Sequence, residues 1–82
     1  MTNDITIGDR VEVSPQYHWA MGATGTVGQM PGSRENECFR YVDSLRGPLK
    51  FVWVLFDVPH LDADRDGPYD GGEIDANYLT KL

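Results

Sequence analysis

A small, strongly bent β-barrel carrying one inserted helix is the fold this sequence predicts, and three observations predict it. Five stretches carry strand signals, none longer than about ten residues. Nine glycines and five prolines in 82 residues divide the chain into short elements separated by turns. A single segment, 33–47, has helical punctuation. Closing such strands into a five-stranded barrel removes exposed edges that a lone sheet of this size could not hide.

The elements follow in order. Ile5 to Ser14 alternates, with Val11 and Val13 on one face and Arg10 and Glu12 on the other, behind a turn at Gly8-Asp9. Pro15 to Gly22 is an aromatic-rich loop. Ala23 to Met30 holds Gly25 and Gly28 among Thr24, Thr26 and Val27, the pattern of a bent or bulged second strand. From Ser33 to Gly47 a short amphipathic helix is expected between strands two and three. Ser33 caps it, Glu35 and Glu37 occupy its first turn, and Gly47-Pro48 stops it. Cys38, Val42 and Leu45, with Phe39 and Tyr41 beside them, form its apolar stripe. Lys50 to Asp57 is apolar on both faces, as in a central strand covered on both sides, the helix covering the second. Glu73-Ile74 and Leu79 to Leu82 close the fold around a tight turn at Asp75 to Tyr78. No repeat or second domain is visible in this sequence.

The formal net charge of −6 is concentrated. Between Asp57 and Asp75, seven acids stand against one base, Arg65, and the remainder of the chain is neutral. Phosphate binding needs the opposite sign, so nucleic acid and anionic membranes are excluded as expected partners. A cation or a basic partner would relieve the self-repulsion. Cys38 is alone, so no internal disulfide is expected. Met1-Thr-Asn-Asp lacks the basic and apolar regions of a signal peptide, and the apolar run Phe51 to Phe56 is far short of a membrane span. A cytoplasmic protein is the expectation.

The acidic run has a definite pattern. Asp62-Ala-Asp64-Arg-Asp66-Gly67-Pro68-Tyr69-Asp70-Gly-Gly-Glu73 matches D-x-[DN]-x-[DN]-G-x5-E, the calcium loop of EF-hands. As a Ca2+ site it would use Asp62, Asp64, Asp66, the Pro68 carbonyl, Asp70 and a bidentate Glu73. Flanking helices are missing: a strand precedes the loop, and too few residues follow it. The alternative is a connecting loop whose aspartates cap turns by bonding their own backbone. Catalytic sets are thinly supported. His18 and His60 are the two histidines, Cys38 sits on an apolar stripe, and no clustered zinc ligands exist. The chain is therefore expected not to be an enzyme.

Gly8-Asp-Arg-Val-Glu-Val13, Tyr17-His-Trp19 and Gly22-Ala-Thr-Gly-Thr-Val27 resemble the opening of the SH3-like barrels of the electron-transport accessory group. That group includes photosystem I subunit IV, the ferredoxin–thioredoxin reductase variable chain and the nitrile hydratase β subunit. Val52 to Asp57 resembles the central strand of those barrels, and Glu73-Ile-Asp-Ala-Asn-Tyr-Leu79 their closing turn. The G-D-x-V…G-x-x-G-x-V pattern also occurs in KOW motifs. The expected helix around Cys38 and the long acidic loop are extra to the short members of the group. The resemblance implies a noncatalytic accessory or adaptor barrel serving a larger enzyme or redox complex. In such barrels Tyr17, Trp19, Tyr69 and Tyr78 can converge into an aromatic groove for a proline-rich or extended protein segment. The acidic loop beside it would favour a basic partner. Alternatively, Trp19 and Tyr78 plug the barrel ends, with Tyr17 and Trp19 forming a lid. A calcium-binding module using 62–73 is the rival function.

Overall fold

The computed structural model describes residues 5–34 and 36–82, so the reading of Met1 to Asp4 and the first-turn place of Glu35 lie outside the described residues. Local alternation sets the first strand, β1 (Arg10–Val13), whose Val11 and Val13 are fully buried while Arg10 and Glu12 face solvent. β2 (Thr24–Val27) pairs antiparallel with β1, matching Val11 to Gly25. β3 (Phe39–Val42), β4 (Leu49–His60) and β5 (Tyr69–Asp75) follow. A 3-10 turn, Ala76–Tyr78, leads into β6 (Leu79–Lys81), which returns to pair with β1. Asp75 caps that turn, its carboxylate accepting the Asn77 N–H at 2.9 Å.

One antiparallel sheet results, ordered β3-β4-β2-β1-β6 with β5 on the other side of β4. It curls into a half-barrel compatible with an SH3-like barrel. Its concave face holds Val11, Val13, Val27, Val52, Val54 and Ile74, all essentially inaccessible to solvent. Burying each such side chain stabilises the fold by about 1.5–3 kcal/mol. Among the described residues no helix is long and apolar enough to cross a membrane.

The expected helix over 33–47 is replaced by a turn and a sixth strand. The capping residues are present but serve a single turn: Glu37 N–H donates to the Arg34 carbonyl, and the Glu37 carboxylate accepts the Arg34 N–H. From Phe39 the aromatic and β-branched run Phe-Arg-Tyr-Val extends as β3 and pairs with Leu49 to Val52. A helix there would leave one edge of β4 open from Leu49 to Val52, whereas β3 supplies four paired residues along it. Gly47 is the turn of this hairpin rather than a helix stop. It has φ +97°, and it exchanges main-chain bonds with Ser44 in both directions. Leu45, assigned to the apolar stripe, stands fully exposed at the tip.

With no helix above it, β4 is not covered on both sides. Val52, Val54 and Phe56 are buried, whereas Phe51 and Trp53 are partly open and Leu55 is exposed. β4 is central in another sense, because three strands pair with it. β3 and β2 share one edge and change over at Trp53, whose N–H donates to the Cys38 carbonyl and whose carbonyl accepts the Gly28 N–H. β5 occupies the opposite edge.

Arg10 on β1 reaches across β2 to Asp57 on β4 with a two-pronged contact of 2.7 and 2.5 Å, and Thr24 donates to the same carboxylate at 2.7 Å. The Arg10 and Thr24 donors hold the Asp57 carboxyl well below the usual carboxylate range. The stabilisation is therefore complete above the unfolded pKa near 4 and is lost as pH falls through the lower folded value. Asp57→Asn is expected to lower the melting temperature at neutral pH and to flatten its decline on acidification. Melting curves of both proteins between pH 2 and 7 check this, and curves that stay parallel would refute it.

Candidate binding groove

The loop between β1 and β2 carries the aromatics to the sheet. Gly22 N–H donates to Val13 and Ser14 N–H to Tyr78, so both ends of the loop are tied to the sheet and the 3-10 turn. Trp19 thereby lies over the concave face of β5. Its ring meets Phe56 edge-on, with centroids 5.4 Å apart, and stands at 81° to Tyr69 at 6.3 Å.

Two consecutive glycines in β5 make this possible. A Cβ on Gly72 would collide with the Trp19 indole, lying 2.5 Å from Cζ2. A Cβ on Gly71, on the opposite face of the strand, would stand 3.3 Å from Cζ2 of Trp53 and 2.8 Å from the Val54 carbonyl oxygen. Each bare position seats an indole on one side of β5. The resulting groove has a volume of about 450 Å³. Its walls are Trp19, Trp53 and Tyr69, its floor is Gly71-Gly72, and Asp62, Asp64, Glu73 and His18 stand around it.

The four aromatics expected in one groove are divided between two hollows. Trp19 and Tyr69 line the groove, while Tyr17 and Tyr78 line a neighbouring one of about 340 Å³ with Phe51 and Asp75. Tyr17 is buried, stacks at 5.0 Å on Tyr78, and its hydroxyl accepts the Asp75 N–H at 3.2 Å. Burial pushes its phenol pKa up. Tyr17 is thus a lid that satisfies the end of β5, and Tyr78 is its half-exposed neighbour. Trp53, His18 and the glycine pair were missing from the expected set. The Gly-Gly step inside a strand was the available signal, obscured because the same residues complete the calcium-loop pattern.

The acidic run is a hairpin loop that continues into β5. Asp62 turns inward: its Oδ1 accepts the N–H groups of Asp64 and Asp66, both at 2.9 Å, as a turn-capping aspartate does. Tyr69, Asp70 and Glu73 already belong to β5, and Pro68 directly precedes it. Glu73 forms a two-pronged ion pair with Arg40 on β3, one prong 2.8 Å long, and this pairing lowers its pKa. Among the described residues no three His, Cys, Asp or Glu side chains are gathered as a metal would require. The carboxylate at loop position 12 is engaged by the Arg40 guanidinium. Calcium at 2 mM is expected to move the melting temperature no more than magnesium does. A calcium-selective rise above 5 °C would show that Glu73 leaves Arg40 for the ion.

Cys38 is buried and its thiol donates to the Ile5 carbonyl at 3.7 Å, while burial raises its pKa. Such a thiol is a core group rather than a nucleophile. Comparison with protein-family models, curated proteins and solved structures gave no match.

Proposed function

We propose that this protein is a noncatalytic interaction module, an accessory or adaptor barrel that holds an extended, basic segment of a partner protein in the Trp19–Trp53–Tyr69 groove. The observation that carries the reading is the groove itself: three aromatic walls on a glycine floor, with carboxylates at the rim. Aromatic faces supply contact area and attract cationic side chains, and Asp62 and Asp64 add steering toward positive charge. The likeness of the strand segments to the electron-transport accessory group supports an accessory role. The buried Cys38 supports a noncatalytic one.

The test is an NMR titration of isotope-labelled protein with a pool of random peptides rich in Lys and Arg, and with a matched pool rich in Asp and Glu. The basic pool is expected to shift the resonances of Trp19, Trp53, Tyr69 and Gly71 to Glu73, and the acidic pool to leave them unchanged. Shifts spread evenly over the acidic surface, or no shifts, would defeat the reading.

A further inference from the structure

The main chain of β5 carries a second observation, independent of the aromatic walls. Trp53 directs both its N–H and its carbonyl toward Cys38 and Gly28, away from β5. In an antiparallel ladder, opposed residues either exchange both bonds or neither, and the two kinds alternate. Trp53 opposes Glu73 and Leu55 opposes Gly71, so the N–H and carbonyl groups of Gly71 and Glu73 point away from β4. Among the described residues β5 pairs with β4 alone, and these four groups have no main-chain partner. Asp75, the next residue with this orientation, has its N–H taken by the Tyr17 hydroxyl. The stretch ahead of it is open, and both of its residues line the groove.

We infer that the partner segment binds by strand addition, pairing its main chain with Gly71 and Glu73 along the outer edge of β5. This rests on the groove reading above and adds to it the conformation and register of the ligand. Side chains opposite Gly71 and Glu73 fall on the Trp53 face, and the residue between them falls on the Trp19 face beside Gly72. Because Gly71 and Gly72 have no side chains, the added strand's own side chains lie directly against the indoles. The segment's basic residue sits at the Gly71 end, because the loop carrying Asp62 and Asp64 enters β5 on that side and lines the groove. A second copy of this chain does not suit the edge, because its net charge of −6 has the same sign as the groove's rim.

The experiment selects binders from a random decapeptide library on phage against the 82-residue chain, then synthesises the strongest binder with and without N-methyl groups at alternate positions. Amide exchange is followed by NMR. In the unliganded protein, Gly71 and Glu73 are expected to exchange faster than Gly72 and Ile74. On binding they should slow at least tenfold, and N-methylation on the pairing side should weaken affinity at least tenfold while methylation on the other side does not. Binding at the aromatic walls with unchanged Gly71 and Glu73 exchange, or with indifference to N-methylation, overturns strand addition and leaves the groove reading standing. A selection that yields no binder, or binders that protect no residue of the groove, overturns both.

Discussion

Gly25→Ala is expected to cost this protein a large part of its stability. Gly25 is buried in β2 opposite Phe56, and an added Cβ would run into the Leu55 carbonyl oxygen and stand 2.8 Å from Cγ1 of Val54. A carbonyl fixed in the ladder cannot rotate aside, so the β2–β4 pairing itself must open. Overpacking ordinarily costs about 1–3 kcal/mol, and a backbone collision at the centre of the sheet belongs at or above the upper end. About 3 kcal/mol in a domain of this size corresponds to a fall in melting temperature of roughly 12–24 °C. Gly28→Ala is the control. Its nearest obstacle is the end of the Leu55 side chain, 2.9 Å away, which can move, so a fall of a few degrees at most is expected. Equal melting temperatures for the two variants would refute the distinction.

Gly72→Ala should affect binding more than folding. The collision there is with the Trp19 indole, a side chain on a loop, which can swing out at the cost of its contacts with Phe56 and Tyr69. A half-buried tryptophan displaced in this way is expected to cost about 2 kcal/mol, below the range for removing a fully buried one. Trp19→Ala should lower the melting temperature by a similar amount and leave a folded protein. Both variants should lose at least tenfold in affinity for a peptide selected on the groove. Because the two residues act through one contact, the double variant should be no weaker than Trp19→Ala alone. Calorimetry of the three variants decides the matter. Additive losses would mean that Gly72 and Trp19 serve the groove separately, and an unfolded Trp19→Ala would make Trp19 a plug of the core.

Much of this arrangement could be read from the residues. Val11 and Val13 announce β1 by alternation, and Asp75 to Tyr78 announce the closing turn. The run Phe51 to Phe56 announces the long strand that organises the sheet. The failure at 33–47 has a local cause. Ser33, Glu37 and Gly47 are residues that also build isolated turns, and spacing alone does not separate a short helix from a turn followed by a strand. What decides is the edge of β4 from Leu49 to Val52 that would otherwise stay open, a tertiary demand invisible in the segment itself. The groove was half legible. Trp19 and Tyr69 were identifiable as groove aromatics, although Tyr69 is the first residue of β5 rather than part of a loop. Tyr17 was placed with them, yet its hydroxyl is used by Asp75. Trp53 was hidden because an apolar strand reads as core on both faces. For Glu73, a one-dimensional match to a metal loop carried no information about Arg40, 33 residues away in sequence.

The pairing of three strands with β4 also governs the order of assembly. The β3–β4 and β4–β5 pairs join neighbours in sequence, so each closes a short loop and can form while the rest of the chain is still disordered. The pair of β1 with β6 joins Val11 to Lys81 and must wait for nearly everything between them. Until β6 is made, β1 presents an uncovered edge beside fully apolar Val11 and Val13, the kind of edge to which another unfinished chain adds. The groove-bearing hairpin is thus among the first parts the molecule can complete, and its hazard during synthesis lies at the opposite end of the sheet.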